Sequence, residues 1–185
     1  LIIGAGAAGM TAAVTAASEL SASDSGYRYE RIVIIERHSV SGRKILATGN
    51  GTCNLSNISA SADRIRDHYR GREADKAGDI LKAFSPEDAV SFFQSLGIEC
   101  ETESDGRIYP YCRQASAVRN ALEERLAGLG VYICHKTEIR KLSYDPAGYF
   151  IADAAESDVK DFKDRSGSVR RSEIQDSSKL RSNIL

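Results

Sequence analysis

The sequence predicts an α/β fold in which helices flank a parallel sheet, and three features support this prediction. An apolar segment, Leu1–Ile3, runs directly into the glycine motif Gly4-Ala5-Gly6-Ala7-Ala8-Gly9. An alanine-rich stretch, Ala7–Leu20, follows with its apolar side chains at helical spacing. A second apolar segment, Ile32–Ile35, then ends at the acidic residue Glu36. Strand, glycine turn, helix and strand in this order are typical of a parallel βαβ unit.

The remaining elements are predicted from local signals along the chain. Ser85 and Pro86 begin a helix, because serine is a good N-cap and proline fits the first helical position; Gly97 ends it. Asp105 and Gly106 predict a hairpin turn. The other predicted elements are a glycine-rich loop over 41–57, a partly helical segment over 58–83, strands over 98–102 and 107–109, a helix over 115–129, a strand over 131–134 and a hairpin over 139–152.

Composition excludes several classes of partner. The net charge of −1 provides no long-range attraction for nucleic acid, and no apolar run reaches the roughly 18 residues of a membrane span. The four cysteines form no CxxC pair, so no metal site is predicted and the scattered thiols favour a cytoplasmic protein. Because the chain starts without methionine and only three residues before the glycine motif, we expect that a few N-terminal residues are missing.

The two ends of the chain differ in character. Residues 1–152 carry the α/β pattern, whereas residues 153–185 are dominated by charged residues and serine. Such a segment buries too little apolar surface to offset the entropy of ordering, which is roughly 1–2 kcal/mol per residue. We therefore predict one domain over 1–152 and a disordered polar tail or linker over 153–185.

The glycine motif predicts a site for a dinucleotide. Gly4 permits the sharp turn, Gly6 lets the backbone approach a pyrophosphate, and Gly9 lets helix and strand pack closely. Glu36 would accept hydrogen bonds from ribose hydroxyls and would repel a 2′-phosphate, which disfavours NADP. It lies 27 residues beyond Gly9, longer than the usual spacing of about 20, which a loop insertion before the second strand explains. A purely structural turn and a solvated acid are the alternative interpretations.

FAD and NAD share this motif, and two features favour FAD. The segment after Glu36 is a second glycine-rich loop whose cations and amides suit a diphosphate or a flavin edge. The next clear strand of the sheet begins only at Val131, and a long excursion at this point is more usual in flavin folds. An NAD-binding module and a truncated, non-catalytic remnant remain alternatives. Cys53 lacks a redox partner in the sequence, and the three histidines form no visible pair.

Three segments, GAGAAGM at 4–10, GRKILATGNGTCNLSN at 42–57 and DGRIYPYCRQASAV at 105–118, resemble the BaiN/YhiN-type flavoproteins. These are described as aminoacetone-oxidase-family FAD-binding enzymes or NAD(P)/FAD-dependent oxidoreductases. The resemblance implies a Rossmann-like FAD-binding domain of the glutathione-reductase type, incomplete at its C-terminal side because family members are longer. It implies an FAD-dependent oxidoreductase with a small-molecule substrate and NAD(P)H as a possible electron donor. Thr52 departs from the family, which usually has arginine there.

The expected cofactor-binding residues follow from the motif and the resemblance together, and no catalytic residue stands out. They are Gly4, Ala5, Gly6, Ala7, Ala8, Gly9, Glu36, Arg37, Gly42, Arg43, Lys44, Gly49, Asn50, Gly51, Asn54 and Ile139.

Overall fold

The computed structural model describes residues 1–22, 32–144, 149–155 and 179–183. The chain divides into two compact units, the first formed by Leu1–Ser41 with Leu126–Leu185 and the second by Gly42–Arg125. In chain order the elements are β1 (Ile2–Ile3), α1 (Ala7–Ala22), β2 (Val33–Ile35), α2 (Arg43–Ala47), a 3₁₀ turn (Thr48–Gly51), β3 (Ser56–Asn57), a 3₁₀ turn (Ala62–Arg64), α3 (Ile65–His68), α4 (Ala74–Ala83), α5 (Pro86–Ser95), β4 (Cys100–Thr102), β5 (Arg107–Pro110), α6 (Ala115–Gly128), β6 (Tyr132–Cys134), β7 (Ile139–Tyr144), β8 (Tyr149–Ala154) and β9 (Lys179–Asn183).

The first unit contains the predicted parallel sheet. Strand β2 lies in its centre and pairs in parallel with β1 on one side and β6 on the other. Strand β6 is the strand predicted over 131–134, and it pairs with β2 although about a hundred residues separate the two in the chain. Helix α1 buries Met10, Ala13, Val14 and Ala17, and the two alanines among them allow the helix to lie close to the sheet. The predicted βαβ unit is confirmed.

A second sheet in the first unit is antiparallel, in the order β7-β8-β9. The pairing of Leu142 with Ala152 confirms the predicted hairpin. Strand β9 pairs with β8 although it lies in the segment predicted to be a disordered tail. Predicted disorder therefore does not describe the residues at the end of β8 and in β9, because strand pairing uses main-chain hydrogen bonds and needs few apolar side chains. Residues 156–178 lie outside the described part, and the proposed boundary at 152 stays a prediction.

The second unit is built on the hairpin of β4 and β5, with β3 added antiparallel to β5. Gly106 has the positive φ of 84° that the predicted turn requires. Helix α5 begins with a complete capping box, since Ser85 and Asp88 exchange side-chain and backbone hydrogen bonds. The predicted helix over 115–129 is α6, and its apolar residues Val118 and Leu122 are buried.

The segment over 41–57, which the sequence predicts as a loop, is more regular than expected. It contains the short helix α2 and the 3₁₀ turn Thr48–Gly51. Arg43–Ala47 consists of good helix formers, and burial of Ile45 holds this turn of helix in place. Among the helices of the described ranges, none combines the length and apolar character that a bilayer crossing requires.

Candidate cofactor site

The glycine turn between β1 and α1 separates two roles of glycine. Gly4 has a positive φ of 95°, and its N–H donates to the carbonyl oxygen of Ile35 at 2.7 Å. A Cβ atom on Gly9 would lie 2.0 Å from the carbonyl oxygen of Gly4, so this position accepts glycine alone. A Cβ atom on Gly6 would meet no protein atom within 4 Å. Gly4 and Gly9 are thus required by the fold, whereas the space in front of Gly6 is open.

The start of α1 offers unused backbone donors at this turn. The first helical hydrogen bond runs from the N–H of Met10 to the carbonyl oxygen of Gly6 at 3.0 Å. The N–H groups of Ala7, Ala8 and Gly9 therefore have no carbonyl of a preceding helical turn to bind. The first turn carries no acidic side chain, and Ala7 and Ala8 are exposed. Exposed N–H groups at the positive end of a 16-residue helix suit a pyrophosphate.

The carboxylate of Glu36 faces the same glycine turn. Glu36 is only 8% exposed, and its Oε2 accepts a hydrogen bond from the N–H of Ala5 at 2.8 Å. Its Oε1 accepts a hydrogen bond from the N–H of His38, also at 2.8 Å. An ionised carboxylate has about four lone-pair sites, so two remain for further donors such as ribose hydroxyls. The geometry fits the predicted interaction with a dinucleotide, which stays a proposal.

The backbone around Glu36 is held by the residues that follow β6. The N–H of Glu36 donates to the carbonyl oxygen of Cys134 at 2.8 Å, and the N–H of Thr137 donates to that of Glu36 at 3.0 Å. The N–H of Lys136 donates to the carbonyl oxygen of His38, also at 3.0 Å. These bonds continue the pairing of β2 and β6 past the end of both strands. The position of the carboxylate is therefore set by the sheet.

Two predicted residues of the first unit lie near these strand ends. Arg37 is exposed, with its Nε 3.3 Å from Nε2 of His38. Ile139 is half-buried and begins β7, where it pairs with Ala154. Their predicted contacts with a cofactor stay predictions.

The second unit holds the other predicted residues in an unusual turn. Gly49, Asn50, Gly51 and Cys53 all have positive φ angles, between 53° and 89°. A left-handed conformation costs an ordinary residue about 1–2 kcal/mol, and it is uncommon for a residue such as Cys53. Backbone strain of this kind is concentrated at ligand sites. We call residues 49–53 the left-handed turn.

Local hydrogen bonds hold this turn in place. The N–H of Thr52 donates to the carbonyl oxygen of Gly49 and that of Cys53 to Thr48, both at 3.1 Å. Immediately afterwards the N–H of Leu55 donates to the carbonyl oxygen of Ile108 at 2.8 Å, which ties the segment to β5. Cys53 is buried, and this burial raises the pKa of its thiol.

The predicted residues of this segment differ in exposure. Gly42 is buried, and a Cβ atom there would lie 2.7 Å from Cγ of Arg119. The others are accessible to a ligand, namely Arg43, Lys44, Gly49, Asn50, Gly51 and Asn54.

Sequence reasoning missed several residues that the structure places beside the predicted ones. Ser41 is fully buried, with its Oγ 2.9 Å from Nε2 of His135. Tyr109 lies beside Gly49 of the left-handed turn, and Arg113 lies over the ring of Tyr109. The only signal for Tyr109 and Arg113 was their place in the segment 105–118. Within the described ranges, no cluster of three or more His, Cys, Asp or Glu side chains could hold a metal ion.

The parallel sheet, the glycine turn and the facing Glu36 define a dinucleotide-binding domain of the Rossmann type. Comparison with family models agrees with this class. The model for the HI0933-like protein Rossmann domain matches residues 1–163, and the chain belongs to that family.

Individual relatives are enzymes. The chain is 36% identical over 150 residues to a 3-dehydro-bile acid Δ(4,6)-reductase of Clostridium scindens. The aligned region covers 81% of this chain and 34% of the relative. The chain thus spans about a third of the length of this curated relative. The fold of the present chain is similar to that of a 3-ketosteroid-Δ4-(5α)-dehydrogenase from Rhodococcus jostii RHA1, with a TM-score of 0.52 and 16% sequence identity. This match covers 82% of the present chain and 41% of the dehydrogenase.

These findings confirm four predictions. The family predicted from the three motifs is correct, and so is the Rossmann-like fold with its parallel sheet and flanking helices. At the level of the family, the class of FAD-dependent oxidoreductases and FAD as its cofactor are also confirmed.

Proposed function

We propose that this chain forms the FAD-binding part of an oxidoreductase, with the ADP half of FAD on the glycine turn of the first unit. The observation that carries the proposal is the open space at Gly6, which directly follows Ala5, the residue bonded to the carboxylate of Glu36, and directly precedes the start of α1. A diphosphate placed there would meet backbone N–H groups, while the ribose hydroxyls would reach the free lone pairs of Glu36.

FAD would supply the ring that exchanges a hydride with the substrate, and the protein would supply binding and electrostatics. The exposed Arg43, Lys44 and Asn50 of the second unit stay proposed cofactor-binding residues. Further proposals are NAD(P)H as the electron donor, a small-molecule substrate and a cytoplasmic location. The name of the Clostridium scindens relative supports a reductase that acts on a small molecule.

Two matched substitutions test the site. Gly6→Ala adds a methyl group where the protein has room, so we expect a folded protein with unchanged melting temperature. The same methyl group would intrude on the diphosphate and should weaken FAD binding at least about tenfold, which corresponds to 1.4 kcal/mol. Gly9→Ala would collide with the carbonyl oxygen of Gly4 and should unfold the first unit whether or not FAD is present.

The measurement is fluorescence titration of the flavin-free protein with FAD, and separately with NADH, alongside thermal unfolding. Tighter binding of FAD than of NADH supports the flavoprotein, and the reverse order favours an NAD-binding module. A Gly6→Ala protein that binds FAD as tightly as the wild type would contradict the placement of the pyrophosphate. Absence of binding to either nucleotide would favour the non-catalytic alternative.

A further inference from the structure

The left-handed turn of the second unit rests against the ring of one buried tyrosine. Tyr109 lies in β5 and is 5% exposed. A Cβ atom on Gly49 would be 3.4 Å from Cε1 of Tyr109, so the backbone at the start of the turn lies against the ring. The bond between Leu55 and Ile108 and the pairing of Ser56 with Ile108 attach the end of the same segment to this strand. Strand β5 therefore supports the turn at both ends.

The guanidinium group of Arg113 lies over the ring of Tyr109. The guanidinium carbon of Arg113 lies 4.4 Å from the centre of the ring, well within the range of a cation–π contact. The guanidinium group is fixed by ion pairs with Glu101 and with Glu103, the latter at 2.8 Å. Both glutamates lie on or beside β4, the partner strand of β5. The arginine is thus fixed to the hairpin that carries the tyrosine.

The backbone of Arg113 has an uncommon conformation that a local hydrogen bond accompanies. Arg113 has a positive φ of 53°, unusual for an arginine, and its N–H donates to the carbonyl oxygen of Pro110 at 2.8 Å. The hydroxyl group of Tyr109 accepts a further hydrogen bond from Nη1 of Arg107 at 3.1 Å. Two arginines therefore hold one tyrosine, and the tyrosine lies against a strained turn.

We propose that Tyr109, held by Arg113, is a positioning residue that fixes the left-handed turn for cofactor binding. This inference rests on the proposed function, because it assumes that the left-handed turn takes part in binding FAD. The ring is the essential part of the proposal, because the atom of Tyr109 that lies beside Gly49 is the ring carbon Cε1. Arg113 acts one step further away, through the ring.

The test compares Tyr109→Leu with Tyr109→Phe, which keeps the ring and removes only the bond to Arg107. Tyr69→Leu serves as a matched control, because it removes a partly exposed ring elsewhere in the same unit. Two quantities are measured on each protein. One is the dissociation constant for FAD, and the other is hydrogen exchange of the backbone amides over 48–57 in the absence of flavin.

We expect Tyr109→Leu to weaken FAD binding at least about tenfold and to accelerate exchange over 48–57, whereas Tyr109→Phe and Tyr69→Leu stay within about threefold of the wild type. Wild-type affinity and exchange in Tyr109→Leu would overturn the proposal. If Tyr109→Leu fails to fold, Arg113→Lys decides, since it keeps the charge and loses the planar group. Weakened binding of at least about threefold then supports the proposal, and unchanged binding overturns it.

The two proposals fail in different ways. A wild-type protein that binds no FAD would reject the proposed function. In that case hydrogen exchange alone would decide whether Tyr109 positions the turn: faster exchange over 48–57 in Tyr109→Leu than in Tyr69→Leu would support it, and equal exchange would reject it.

Discussion

Replacing Glu36 by glutamine should destabilise the protein even without a nucleotide. Both carboxylate oxygens accept backbone N–H groups, from Ala5 and from His38, each at 2.8 Å. A glutamine amide has one oxygen and one NH₂ group, so it can accept only one of these bonds and turns a donor toward the other N–H. Glutamine, although nearly the same shape, is therefore the wrong replacement at this position.

The size of the effect follows from burial. Ala5 is 1% exposed, so its N–H cannot turn to water when the acceptor is lost. An unsatisfied buried N–H costs about 1–3 kcal/mol, and the surviving bond to a neutral amide is roughly half as strong as the bond to a carboxylate. We expect a loss of about 2–4 kcal/mol, which lowers the melting temperature of a chain of this size by roughly 5–15 °C.

Thermal unfolding of the flavin-free protein, followed by circular dichroism at neutral pH, measures this loss. Glu138→Gln is the control, because Glu138 is exposed in the same unit and its replacement should change stability by no more than about 0.5 kcal/mol. The opposing effect is that glutamine avoids the cost of burying a charge. A Glu36→Gln protein that melts with the wild type would show that this gain cancels the lost bonds, and would refute the reasoning.

Three further predictions concern the second unit. Ser85→Ala should cost about 1 kcal/mol by removing the N-cap of α5, as measured by chemical denaturation. The hydrogen bond from the backbone of Ser85 holds the pKa of Asp88 below its usual range. The stability that Asp88 contributes should therefore be present at neutral pH and disappear as the pH falls through that lowered pKa. An Asp88→Ala protein that is less stable than the wild type by the same amount at low pH as at neutral pH would contradict this. At pH 8, iodoacetamide should modify the exposed Cys112 well before Cys53, whose thiol is buried and has a raised pKa; mass spectrometry showing equal rates would contradict this.

The sequence was sufficient to predict the βαβ unit because its signals are local. The glycine motif directly follows an apolar segment, and Glu36 directly follows the next. Each signal fixes an element whose neighbour in the chain is also its neighbour in space. The excursion between β2 and β6 was predicted for a similar reason, since Val131 begins the next segment with the pattern of a buried strand.

The supports of the left-handed turn could not be predicted in this way. The contact between Tyr109 and Gly49 joins residues that are far apart in sequence, and no local pattern indicates which side chain will pack under a turn. The positive φ angles of Cys53 and Arg113 are equally hidden, because neither residue type favours that conformation. Such angles arise when tertiary contacts outweigh local preference, so they become visible only in the structure.

The same contrast explains why the glycine motif alone is a weak predictor of function. Gly4 and Gly9 are required by the fold itself, through a positive φ at one position and a carbonyl oxygen at 2.0 Å from a Cβ atom at the other. A chain that had lost its cofactor would still need both of them. Gly6 has no such internal reason to be glycine, since a Cβ atom there would meet nothing within 4 Å beyond its neighbours in the chain. Of the three glycines, Gly6 is therefore the one whose identity points to a ligand, and replacing it separates binding from folding.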